Sequence, residues 1–545
     1  MARGFKNWSW SKLGWATALV LAACHAWMLN RYSVNFPSAD DFTQLLAVPG
    51  YVANSPTFAD KVTYLFSLSV DHRIATLRAI AYVQATLLGG LDFRALIFVG
   101  NALCAAAGLV VLARAPAESR GWLAPLFAML LFSPTNWIAQ YWPTGAVQHL
   151  ALLAYALLAL LCLDKPGIGR TASALLLTLC AVFTAANGLM LFPAAAAQFW
   201  MSGRRKVALL WLGGGVVLGL LYFHGYATPG GRASAQAALL QPVQLCAWFL
   251  TTLGSMVAQA GPTNASTMLL GGVLIATWAW LLISARQFPV PRLLLAWALF
   301  LVLSIAAITI GRAPLGVEAL VNSRYRVYSE FATLVTVVSV VYRLRAYNLG
   351  GERVLATLLL PLAAVWSWAM WEANLGVLVD FSLEQRNARD HYMVTRGRGM
   401  YRDFPPQDFG DFLLTRARDS QHLPPFPVTP VAVATFAADM PPLKTLARFL
   451  DAAPPFAHAG ALSIHGQVPS ALSPVAVWLR RDDLYYKGTP QHERVVYPDL
   501  ANRRVAFWNT WSLVGLAPGQ YEVGYARGDL SDSQVYWTGA SIDVD

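Results

Sequence analysis

The sequence predicts a polytopic α-helical membrane protein of about 11 spans with a β-rich region at its C-terminal end. Three observations carry that prediction. Of 545 residues, 56% are apolar and only 13% charged, whereas a soluble domain carries about a quarter charged residues. Apolar runs of about 20 residues, the length that crosses a bilayer as helix, recur through the first two thirds of the chain. Past residue 460 the pattern changes to short alternating stretches separated by turn residues.

The runs fall at about 13–30, 93–113, 122–138, 147–163, 171–186, 188–202, 207–224, 266–284, 293–310, 325–342 and 354–371. Positive charge collects in alternate loops: Arg3/Lys6/Lys12, Arg114/Arg120, Lys165/Arg170, Arg204/Arg205/Lys206, Arg286/Arg292 and Arg343/Arg345/Arg353. By the positive-inside rule these loops and the amino end are cytoplasmic, and an odd number of spans puts 372–545 outside. Residues 1–371 carry 24 Lys+Arg against 10 Asp+Glu, and the remainder 16 against 19. The excess of the formal charge of +11 thus lies in membrane loops, and nucleic acid is not an expected partner.

Two segments, 74–91 with Arg78 in mid-run and 241–260 bounded by Pro242 and Gly261-Pro262, are expected to lie at the outer interface. The stretch 31–92 then forms a long external loop, and long ordered loops are more often functional than idle. Residues 372–460 read as a mixed, Pro-rich connection. Residues 461–545 (ALSIHGQV, VAVWLRR, RVAFWNTW, GQYEVGYAR, QVYWTGASIDV) read as a small antiparallel β-sandwich. Its aromatics Trp478, Tyr485, Tyr486, Trp508 and Trp511 suit either its core or a glycan platform. The five cysteines lie in apolar stretches before residue 247, with neither zinc-site nor disulfide spacing.

The polar residues that could carry chemistry all fall on the predicted outer side. Asp40-Asp41, in NFPSADDF, supply either a helix cap for a helix beginning at Phe42 or a general base where a membrane-held substrate meets water. Asp71-His72-Arg73 and Arg78 follow; a guanidinium fork suits phosphate oxygens, although Arg78 is better explained by lipid headgroups. Arg312 and Arg324 go against the positive-inside trend, which points to phosphate ligation, while Arg326 and Glu330 are spaced as a helix ion pair. Tyr141, Trp142 and His149 lie on one external hairpin, Asn187 on a second turn and Tyr325 beside Arg324. The two hairpin aromatics suit an interfacial belt as well as a sugar platform, and His149 on its own suits a structural histidine. The spans themselves carry few ionisable groups, unlike a transporter with its site at the midplane.

In their order, ADDF, DHRI, LR, W-P-x-G-x-x-Q-H, ANGLMLFP, GR and SRY resemble motifs of the GT-C glycosyltransferases over roughly residues 10–345. That superfamily of integral-membrane enzymes includes protein O-mannosyltransferases, lipid A aminoarabinose transferases and mycobacterial arabinosyltransferases. Asp71 stands where uncharacterised bacterial members have Glu. The resemblance implies a multi-pass protein of the bacterial inner (cytoplasmic) membrane, with a periplasmic C-terminal domain. It implies transfer, with inversion, of a sugar (arabinofuranose, by its arabinosyltransferase side) from polyprenyl phosphate to a periplasmic protein or glycan. No cofactor is required, or at most weak help from a divalent cation. Carried onto this chain, the resemblance makes Asp40 the first choice for the base, with Asp41 positioning acceptor or base. Arg73, Arg312, Arg324 and His72 hold the donor phosphate, and Asp71, Trp142, His149, Asn187 and Tyr325 line the substrate site. An O-antigen ligase or polymerase, a transporter of lipid-linked sugar and a membrane-anchored carbohydrate-binding protein are the competing readings.

Overall fold

Helix dominates because long apolar runs leave backbone groups no partner in lipid other than their own chain. The computed structural model describes residues 2–69, 72–226, 238–258, 264–284, 290–346 and 351–395. Beyond these it describes 461–469, 475–481, 484–487, 489–492, 504–512, 519–527 and 536–544. The chain divides into two units, 1–33/56–80/94–375 and 34–55/81–93/376–545.

The helices run α1 Ala2–Tyr32, α2 Ala47–Asn54, α3 Phe58–Phe66, α4 Ala75–Leu88, α5 Phe93–Ala113, α6 Arg120–Leu131, α7 Trp137–Tyr141, α8 Pro143–Gly145 and α9 Ala151–Leu163. They continue as α10 Ile168–Val182, α11 Leu191–Met201, α12 Arg205–Phe223, α13 Pro242–Leu253, α14 Asn264–Ser284, α15 Arg292–Arg312, α16 Val317–Leu320, α17 Ser323–Ala346 and α18 Gly351–Thr395. Among the described residues, nine helical stretches are long and apolar enough to cross a membrane. The chain is therefore a multi-pass helical membrane protein.

The count differs from eleven at one place. The expected spans 171–186 and 188–202 are α10, of 15 residues, and α11, of 11, joined by a 3-10 turn over Ala186–Met190. At about 1.5 Å per residue their helical parts reach roughly 22 and 16 Å, short of a hydrocarbon core of about 30 Å. The turn is tight because Gly188 lies against the Ala181 carbonyl, where a Cβ would come within 2.3 Å of the oxygen.

The two segments expected at the interface are held by neighbouring elements. Arg78 of α4, 4% exposed, donates through Nη1 to the carbonyls of Tyr64, Leu65 and Ser67 and to Ser67 Oγ. It is thus the internal brace of the turn after α3, and the lipid-headgroup reading of this residue is corrected. α13 crosses α14 at backbone distance, since a Cβ on Gly254 would meet Thr267 O at 1.9 Å and one on Gly271 would meet Leu250 O at 2.1 Å. Ser329 Oγ donates to Leu253 O at 2.5 Å, so the end of α13 belongs to the helix packing of the first unit.

That packing centres on α9, α15 and α17, where Leu152, Leu157, Leu160, Trp297, Phe300 and Phe331 are fully buried. Trp297 stacks on Phe300 at 5.2 Å and meets the edge of Phe331 at 5.9 Å. A two-stranded ribbon, β1 Leu68–Ser69 and β2 His72–Arg73, precedes α4.

In the second unit Phe36, Phe42, Leu45 and Val48 are buried around a π-helical turn at Phe42–Leu46. Asn35 Oδ1 accepts the Phe93 N–H at 2.9 Å, and Gln84 exchanges hydrogen bonds with the Asp92 backbone, closing the turn after α4. α18 extends to Thr395, past the composition change at residue 371. The described strands of the tail are β3 Ala461–Pro469, β4 Val475–Arg481, β5 Leu484–Lys487, β6 Thr489–His492, β7 Arg504–Ser512, β8 Gly519–Arg527 and β9 Tyr536–Val544. They pair antiparallel in the orders β3-β7-β6 and β5-β4-β8-β9. Trp478 is buried with Val477, Leu479, Tyr521 and Val523, a core residue. The side chains of Tyr485, Tyr486, Trp508 and Trp511 lie outside the described residues, as do residues 396–460 of the expected connection.

Candidate anion site

In the first unit, five of the residues singled out from the sequence, Arg324, Tyr325, His149, His72 and Arg312, come together around the start of α17. Asn322 Oδ1 accepts the Arg324 backbone N–H at 3.2 Å, and the Arg324 guanidinium lies over the Tyr325 ring with its carbon 5.1 Å from the centroid. That guanidinium has no hydrogen-bond or ion-pair partner among the described residues, and its Nε is buried. The positive end of the dipole of a 24-residue helix also favours negative charge there.

His149 faces the same tyrosine. It sits on a π-helical turn, Ala146–Leu150, and its ring meets Tyr325 edge-on at 5.3 Å and Tyr328 at 6.2 Å. The side chain is 6% exposed and its Nδ1 is buried without a hydrogen-bond partner. Arg324, His72 and Arg312 all act on it electrostatically. Arg312, at the end of α15, points Nη2 at His72 Nε2, 3.4 Å away. A guanidinium can only donate, so that contact requires an unprotonated His72 Nε2. Asn187 donates Nδ2 to the Tyr328 hydroxyl at 3.2 Å, joining the α10–α11 turn to α17.

Packing and hydrogen bonding build this arrangement. Ser133 caps the 3-10 turn Pro134–Asn136, Pro143 opens α8, and between them Ile138 N–H donates to Ser323 Oγ at 3.1 Å. Trp142 and Tyr141 are buried in protein, so neither belongs to a lipid-facing belt. Asn101 Nδ2 reaches the Gln140 carbonyl at 2.7 Å, and His25 Nε2 lies 3.1 Å from Asn101 Oδ1.

Two expected roles change. The Arg73 guanidinium donates to three backbone carbonyls: Nε to Tyr222 at 2.6 Å, Nη1 to Phe66 at 2.7 Å and Nη2 to His224 at 2.5 Å. Its own N–H donates to the Tyr222 hydroxyl at 2.9 Å. It is a tie between β2 and the end of α12, which removes it from the phosphate set. Arg326 and Glu330 do not form the expected ion pair: Arg326 Nε donates to the Val321 carbonyl at 2.9 Å, and Glu330 Oε2 accepts from Asn136 Nδ2 at 2.5 Å. Sequence reading passed over Tyr328 and Asn136. Tyr328 could have been found from its i, i+3 spacing to Tyr325, whereas nothing local marks Asn136. Asp71 lies outside the described residues.

The acidic pair belongs to the second unit. Asp41 is fully buried (0% exposed), and its Oδ2 accepts the Ser38 N–H at 2.9 Å. Asp40 is half-buried, its backbone carbonyl accepting from Thr43 and Gln44. Ala39, just before the pair, has φ of 46°. A left-handed alanine stores strain, of the kind that collects at functional turns. A helix does begin at Phe42, and Asp41, at its N-cap position, does not cap it through its side chain. Asp41 instead stiffens the turn that presents Asp40. Among the described residues, no group of three or more His, Cys, Asp or Glu could hold a metal ion.

These features define a multi-pass helical membrane protein with a partly buried cluster of arginine and histidine side chains. Comparison of the chain with protein-family models, with curated proteins and with solved structures gives no match.

Proposed function

We propose that the chain is an inverting glycosyltransferase that takes its sugar, arabinofuranose in the first instance, from a polyprenyl-phosphate donor. The observation that supports this reading most is the Arg324 guanidinium, without a hydrogen-bond or ion-pair partner among the described residues and in the company of Arg312, His72 and His149. A partnerless guanidinium in a half-buried setting is costly unless an anion joins it, and Arg suits phosphate oxygens. The acceptor hydroxyl loses its proton to Asp40 as its oxygen attacks the anomeric carbon, and the sugar–phosphate bond breaks on the opposite face. Arg324 and Arg312 stabilise the charge that the departing lipid phosphate gains. Tyr325, Asn187 and Trp142 belong to the sugar's surroundings in this scheme.

The charge pattern of the loops supports a cytoplasmic amino end in the bacterial inner membrane and a periplasmic tail. Counting both α10 and α11 as spans or counting neither does not alter that parity. The tail, a β-sandwich-like domain in this reading, receives the acceptor, a periplasmic protein or glycan.

The test is transfer from a synthetic polyprenyl-phosphate arabinofuranose in proteoliposomes. Asp40→Asn should lower the rate by at least about a hundredfold, the usual weight of a general base, while Asp41→Asn leaves a reduced rate. Full activity in both variants would remove the base assignment. Sugar translocation without transfer would favour a transporter.

A further inference from the structure

We propose that Glu330 is a positioning residue: through Asn136 it locks the His149-bearing segment against the start of α17 and so sets the geometry of the anion site. Glu330 is 0% exposed and Asn136 1%, and the bond between them is 2.5 Å long. An acid inside a membrane-crossing helix is expensive and calls for a role. The neighbour i−4 on its helix, Arg326, bonds a backbone carbonyl and acts on the acid across space without a direct hydrogen-bonded ion pair, so the acid's one hydrogen bond among the described residues is to Asn136.

The positions of the ties give the role. Residues 136–138 are fastened to α17 twice, at Ser323 through the Ile138 N–H and at Glu330 through Asn136. Those two points are seven residues apart, about 10 Å along the helix. Arg324, Tyr325 and Tyr328 lie between them. The chain leaving residue 138 runs through Trp142 and Pro143 into the π-turn whose His149 rests on Tyr325 and Tyr328. Fixing 136–138 against α17 therefore fixes the distance from His149 to the tyrosines and to Arg324. A second detail marks the pair: Glu330 Oε1 and Asn136 Oδ1 are both buried without hydrogen-bond partners. Glu330→Gln would keep an acceptor for Asn136 Nδ2 and add an N–H for Asn136 Oδ1, so it conserves the lock.

The inference rests on the anion-site reading only for its binding readout. Full-length protein in detergent micelles would be titrated with dodecyl phosphate. In parallel, the ring-15N histidine spectrum would be recorded, with His149 assigned by its loss in His149→Gln. Glu330→Gln should stay within about twofold of the parent in affinity, with the His149 resonance unmoved. Glu330→Leu should lose about tenfold in affinity and shift that resonance, and its melting temperature should fall because Asn136 Nδ2 is left buried without its acceptor. An unmoved His149 resonance in Glu330→Leu would overturn the proposal, and so would the same shift in Glu330→Gln. If Glu330→Leu does not fold, Ser323→Ala, which releases the other tie, should move the resonance in its place; no movement there is equally fatal. A parent protein that ignores dodecyl phosphate while its His149 responds to Glu330→Leu leaves the lock standing and removes the phosphate site.

Discussion

Arg73 and Arg324 look interchangeable in the sequence, each following polar residues at the end of an external segment, yet the structure puts them in opposite situations. Arg73 is enclosed by carbonyls, with Tyr222, Phe66 and His224 each taking one of its N–H groups. Arg324 has a tyrosine face beneath it and no acceptor among the described residues. An arginine's role is fixed by which oxygens the fold brings within reach. The first holds a loop to a helix; the second is available to a ligand.

Four substitutions probe that contrast. Arg324→Ala should cost the most: about a hundredfold in affinity for dodecyl phosphate, the scale of a lost charge-assisted contact, with the melting temperature held within experimental error. A loss of stability instead would move Arg324 to the Arg73 side. Arg73→Ala should do the reverse, lowering unfolding stability in detergent by about 2 kcal/mol because three carbonyls lose a charged donor, while bound-phosphate affinity changes little once the protein is folded. Arg73→Lys should recover only part of this, since a single ammonium cannot span three divergent acceptors. Smallest is Tyr325→Leu, which removes the ring beneath the guanidinium: about threefold to fivefold weaker phosphate binding, in line with a cation–π contact of roughly 1 kcal/mol. Calorimetric titration across these variants separates the three sizes.

Hydropathy alone made the membrane class legible, and most span limits fell within a few residues because apolar length is a local property. The α10–α11 pair escaped it: Thr184, Asn187 and Gly188 interrupt the run only weakly in composition, but Gly188 lets the 3-10 turn close against Ala181. Within the site, Arg312, Arg324 and His72 stood out because charge on the predicted outer side is conspicuous. What their guanidinium and ring atoms touch depends on residues some 140 to 240 positions away, such as Tyr222 for Arg73 and His72 for Arg312. The Arg326–Glu330 spacing misled for the same reason: an i, i+4 pair is a local expectation, and Asn136, 194 residues from Glu330, supplied a better donor.

The π-turn at Ala146–Leu150 carries a consequence of its own. A π-turn amounts to one residue more than a regular helix needs, and each residue of an α-helix turns the chain by about 100°. His149 owes its direction to that surplus residue as much as to its own chemistry. Removing any single neighbour from the turn would let the helix relax to ordinary winding and swing the imidazole away from both tyrosines, with every side chain of the cluster still encoded. The site is thus specified partly by arithmetic along the backbone, a kind of information that no side-chain substitution can edit.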